Sequence, residues 1–74
     1  MPLQNEFPRA EKIGFEFGSK LARRFSTKPD DAIHSASAIF IKLHNSQYST
    51  LGTKLEAQRA FKSAAYRGYD EATK

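Results

Sequence analysis

The chain has 74 residues, 27% of them charged, with a formal net charge of +4 and no cysteine. That length fits a single domain with a small core, and the missing cysteine excludes disulfides, thiolate metal sites and cysteine nucleophiles. The surplus of lysine and arginine favours an acidic partner, either nucleic acid or an acidic protein surface. A membrane partner is not expected, because the most apolar uncharged run, AIHSASAIFI, is too short and too polar to span a bilayer, and no secretory signal pattern opens the sequence. A soluble, unprocessed, cytoplasmic protein is the expectation.

The pattern predicts an all-α fold, a compact three-helix bundle formed by one domain over residues 1–74, with ends fraying at about 1–6 and 70–74. The first helix is predicted over about 8–25. Pro8 suits its opening turn, where a missing N–H needs no partner, and Glu11 near the start with Arg23 and Arg24 near the end complement the helix dipole. At 100° per residue, Ala10, Ile13, Gly14, Phe17, Leu21 and Phe25 share one stripe, widened by Phe15, Gly18 and Ala22. Each interior glycine costs about 1 kcal/mol relative to alanine, so Gly14 and Gly18 ask for a compensating gain. A notch that lets a second helix approach unusually closely supplies one. The alternatives are a glycine that is merely tolerated, or backbone exposed to a phosphate, and the latter lacks any accompanying glycine-rich phosphate motif. Glu16 and Lys20 exclude the analogy with glycine-spaced membrane helices.

The second helix is predicted over about 28–44, with Thr27 as its cap and Asp30 and Asp31 at its positive end. Its apolar stripe reads Ala32, Ile33, Ala36, Ile39, Phe40 and Leu43. Ala38 and Ile41, beside His34 and Ser37, are expected on the outer face, where contiguous apolar area would mark a partner surface or a homodimer. The polar connector HNSQYST leads to a third helix over about 54–67. TKLE reads as a capping box there, with Thr53 as the cap and Glu56 reaching back. A start at Ser49 or Thr50 is the alternative, and it would place Gly52 inside the helix. Gly68 suits a left-handed closing position with Tyr69 folding back onto Ala64. Ala57, Ala60, Phe61, Ala64 and Gly68 form a small-residue face able to settle into the glycine notch.

The residues left outside this core carry the functional expectation. Leu55, Arg59, Lys62 and Tyr66 recur on the opposite face of the third helix, and Lys20, Arg23, Arg24 and Lys28 cluster at the corner between the first two helices. Arginine and lysine engage phosphates and tyrosine stacks on unpaired bases, so a nucleic-acid-associated regulatory module is the leading expectation. A protein-binding adaptor or inhibitor is the second, since tyrosine and arginine also anchor protein interfaces; small reading frames of phages and mobile elements often encode proteins of this kind. A plain solvated face accounts for the same residue types.

Catalysis finds little support. His34 and His44 stand about 15 Å apart along one helix, too far to share a metal, and Ser35 and Ser37 have no oriented base. No enzyme activity, cofactor or metal is expected. The connector before the third helix is also longer than a helix-turn-helix motif takes.

Overall fold

The computed structural model describes residues 7–48 and 50–74. The expectation about residues 1–6, and the alternative cap at Ser49, lie outside the described residues. Three helices follow one another, α1 (Pro8–Ala22), α2 (Asp30–Leu43) and α3 (Leu51–Ala72), with a single 3-10 turn at Asn45–Gln47 between the last two. They form a three-helix bundle in which α1 packs extensively on α3, α2 packs on α3 less extensively, and α1 and α2 scarcely touch.

The helix limits depart from expectation for local reasons. Pro8 opens α1 as anticipated, but the helix closes at Ala22 rather than Phe25. The amides of Arg24 and Phe25 both return to the Leu21 carbonyl at 2.9 Å, and the Phe25 carbonyl is turned out to accept the Tyr69 hydroxyl at 2.7 Å. Thr27 does not cap α2, and Lys28 lies outside it. Pro29 disfavours helical backbone at the residue before it and itself takes the cap position, without a side-chain bond. Asp30 and Asp31 then occupy the first turn, where their charge complements the helix dipole.

α3 is longer than expected at both ends. Its cap is Thr50, whose Oγ1 accepts the Thr53 amide at 3.1 Å and donates to the Thr53 hydroxyl at 2.8 Å. The Thr53–Glu56 capping box therefore does not form, and Gly52 sits in the first turn. Gly68 does not end the helix either. No glycine among the described residues has a positive φ, and α3 runs on to Ala72 with Tyr69 buried rather than folded back over Ala64.

Gly68 belongs instead to the crossing of α1 and α3. A Cβ added at Gly14 would fall on the Phe61 carbonyl, one at Gly18 on the Ala65 carbonyl, and one at Gly68 on the Phe15 carbonyl. The notch is thus reciprocal, with two glycines on α1 and one on α3, each admitting the opposing backbone. Ser19 adds a hydrogen bond across it, its Oγ donating to the Gly68 carbonyl at 3.4 Å. Merely tolerated glycines would show no such contacts, and Gly52, with nothing within 4 Å of an added Cβ, is the internal contrast.

The core divides into two clusters joined through Phe17. One gathers Ala10, Phe40, Ile41, Tyr48, Ala57 and Phe61, with the Phe40 and Phe61 rings 5.2 Å apart and Phe17 and Phe61 6.1 Å apart. The other holds Leu21, Ile33, Ala65 and Tyr69. α2 meets this core with a face rotated from the expected one. Ile33, Ser37, Phe40 and Ile41 are buried, whereas Ile39 is 57% and Leu43 76% exposed. Ile41 is therefore a core residue and not part of an outer patch. The rotation follows from Ser37, which is fully buried yet satisfied: its Oγ donates to the His34 carbonyl at 2.6 Å and accepts from Gln58 Nε2 at 3.1 Å. A serine whose hydroxyl is paired on both counts can enter a core at little cost.

Candidate binding surface

The basic and aromatic stripe expected on α3 is divided between a seam and a solvent face. Tyr66, half-buried, donates its hydroxyl to Asp30 Oδ1 at 2.7 Å. Lys28 Nζ lies 5.8 Å from the centre of the Tyr66 ring and pairs with Asp70 Oδ1 at 2.9 Å. Lys62 Nζ stands 3.3 Å from His34 Nδ1. Together with the Ser37–Gln58 bond, these contacts stitch the edge of α2 to α3 along most of its length. The hydrogen bond to Asp30, then partial burial, then repulsion from the Asp30 carboxylate hold the Tyr66 phenol above the ordinary tyrosine range. Tyr66 is thereby occupied as a helix-pairing group, with its hydroxyl committed and one ring face covered. Lys28 and Lys62 share that role.

Leu55 and Arg59 remain exposed. With His34, Gln58 and Lys62 they line a shallow depression on the outer side of the seam. Glu56 shares a neighbouring depression with Arg59, so positive charge there is partly offset. Lys20, Arg23 and Arg24 are placed differently. They line one cleft of about 460 Å³ together with Phe17 and Leu21, and among the described residues none of them forms an ion pair. No residue is common to this cleft and the Arg59 depressions. Lys28 of the corner group meets the third-helix stripe at Tyr66, while Lys20, Arg23 and Arg24 line a cleft of their own.

Phe17 enters this cleft as a half-buried core residue, its ring 6.1 Å from that of Phe61 on α3, while Ile39 and Leu43 stand exposed on α2.

Sequence reasoning located these cations but assigned Ile39 and Leu43, which are exposed, to the core. A usable signal was present. Apolar residues cover more of α2 than one neighbour can bury, so one of two arcs had to remain outside, and Ser37 with its partner Gln58 decides which. Comparison with protein-family models, curated proteins and solved structures gives no match to this chain. Among the described residues no helix is long and apolar enough to cross a membrane.

Proposed function

We propose that this protein is a small non-enzymatic binding protein, and that its working surface is the cleft at the end of α1, where it engages an acidic protein as an adaptor or inhibitor. The observation that carries this reading is the cleft itself, which Lys20, Arg23 and Arg24, none in an ion pair among the described residues, line together with Phe17 and Leu21. Apolar side chains beside arginines are the composition of an interface core with a charged rim.

Nucleic acid is the second reading, favoured specifically by the Lys20, Arg23 and Arg24 cluster, since lysine and arginine engage phosphate oxygens as well as carboxylates. Two observations weigh against it as the first. Tyr66 is committed to Asp30 and so is a poor stacking platform, and a polyphosphate backbone gains nothing from Phe17 and Leu21 in the cleft.

The two readings separate in one experiment. The tagged protein and its Lys20→Glu/Arg24→Glu variant are used to capture partners from an extract of the encoding organism, with and without nuclease. The adaptor reading expects a protein partner that survives nuclease and is lost from the variant, while the variant's melting temperature stays unchanged, since neither side chain forms an ion pair among the described residues. Loss on nuclease treatment would favour nucleic acid, and an identical set of partners for both proteins would remove this cleft from consideration.

A further inference from the structure

We propose that the end of α1 is a two-sided docking surface for a short extended segment of the partner protein, which sets an acidic residue on Lys20 and Arg23 and one apolar side chain on each flank; this rests on the reading above and names the form the partner presents. Lys20 and Arg23 line two depressions. The first is the cleft of about 460 Å³ shared with Phe17, Leu21 and Arg24. The second, of about 630 Å³, is shared with Phe15, Glu16 and Ser19. At 100° per residue, Phe17 and Leu21 lie about 60° and 100° to one side of Lys20, while Arg23, Ser19 and Phe15 lie about 60°, 100° and 140° to the other. The two exposed cations therefore form a crest along α1, with an apolar recess on either flank. Half-buried Phe17 and buried Leu21 floor one recess, and Phe15, 38% exposed, lines the other.

The distance across the crest selects the form of the guest. A helix with its side chains is about 10–12 Å across, so anchors on opposite flanks of α1 must stand about that far apart. In an extended chain, side chains at i, i+2 and i+4 share one face and span about 13 Å. An apolar residue, an acid and a second apolar residue at those positions reach both recesses while the acid meets the crest. A guest helix is a rod that rests on the crest and fills one flank at a time. Charge selects the middle position. Lys20, Arg23, Arg24 and one carboxylate, Glu16, line the two depressions, and among the described residues none of the four forms an ion pair. A second copy of this chain would set those cations against their own duplicates across a two-fold contact. A bilayer needs apolar side chains that project beyond the cations, whereas Leu21 is only 8% exposed. A phosphate backbone leaves both recesses unfilled.

The test titrates the full chain with the end-blocked peptide Gly-Phe-Ser-Glu-Ser-Leu-Gly and follows backbone amide shifts. One control changes the glutamate to lysine, and a second deletes both serines, so that in an extended chain the anchors point away from the acid. A third is a helical peptide with the same phenylalanine, glutamate and leucine at i, i+4 and i+7. A short DNA duplex and phosphatidylserine-containing vesicles are run in parallel, and sedimentation reports the oligomeric state. Expected is binding of the first peptide about tenfold or more tighter than of any control, with shifts at Phe15 and Ser19 on one flank and at Phe17 and Leu21 on the other. Lys20→Glu should weaken it about tenfold or more, and Glu16→Gln should tighten it severalfold by removing a like charge beside the guest's acid, with circular dichroism unchanged in both. Equal binding of a control, shifts confined to one flank, no response to Glu16→Gln, preference for duplex or vesicles, or a dimer that covers Lys20 and Arg23 would each overturn the proposal. Failure of the peptide while the Lys20→Glu/Arg24→Glu variant still loses its captured protein would sink the extended segment and leave the cleft standing. If that variant keeps every partner, both fall together.

Discussion

Replacing Gly18 by alanine sets two opposing effects against each other, and the structure says which wins. Alanine improves helix propensity by about 1 kcal/mol. Its Cβ, however, would stand 2.7 Å from the Ala65 carbonyl carbon and 2.9 Å from the Ala65 Cα, with the carbonyl oxygen nearer still. These are backbone atoms of a helix and cannot rotate aside, so α1 must withdraw from α3. Overpacking of this kind costs about 1–3 kcal/mol, and more where the neighbour is rigid. A withdrawal of even half an ångström to one ångström also forfeits about a quarter to a half of the dispersion energy of neighbouring contacts, among them those at Gly14 with Phe61 and at Gly68 with Phe15. The net expectation is a loss of about 2–3 kcal/mol from a total of about 4–11 kcal/mol for a chain this size. That corresponds to a fall of about 10–20 °C in melting temperature, read by circular dichroism. Gly52→Ala is the matched control, because nothing lies within 4 Å of its added Cβ; it should gain about 0.5 kcal/mol and melt slightly higher. If Gly18→Ala melts at or above the parent temperature, the close crossing of α1 and α3 is not what these glycines are for.

Three further outcomes follow from particular residues. Ile41→Ala should cost about 2–4 kcal/mol in urea denaturation, because Ile41 is only 9% exposed, while Leu43→Ser should stay within about 0.5 kcal/mol of the parent; the reverse order would restore the face of α2 expected from the sequence. Thr50→Ala should lose about 1 kcal/mol through its cap, and Glu56→Ala should change stability far less, since no capping box forms; equal losses would point to a helix start at Thr53. The Tyr66 phenol should titrate above an ordinary tyrosine, as read by the tyrosinate absorbance that Tyr66→Phe removes, and Asp30→Asn should bring it back down. Because the folded-state value is raised, the stability linked to this group is fully present below the ordinary tyrosine pKa and is lost as pH rises through the raised one. An unchanged titration in Asp30→Asn would show that Asp30 is not its cause.

The elements of the candidate surface differ in how far the sequence exposes them. Lys20, Arg23 and Arg24 are legible because three cations close together near a helix end have few acidic partners within reach. Tyr66 and Lys62 are misleading for the opposite reason: the wheel of α3 places them away from its alanines, yet a third helix occupies that flank, and Asp30, His34 and Lys28 come from distant parts of the chain to meet them. Leu55 and Arg59, interleaved on the same stripe but one to three turns nearer the start of α3, are exposed.

Local chemistry settled the helical class, the number of helices and the opening turn at Pro8, since each depends on residues within a turn or two of one another, and the cost of glycine inside a helix signalled the close crossing at Gly14 and Gly18 without naming its partners. Tertiary structure alone decided the rest: that Gly68 continues a helix instead of ending one, that Ser37 and Ile41 turn inward while Ile39 and Leu43 turn outward, and that Lys28 meets Tyr66 at the α2–α3 seam. Each of these is a choice between local states close in energy. What tips it is the approach of a second backbone or a hydrogen-bond partner such as Gln58, separated by many residues in the chain and adjacent only after folding.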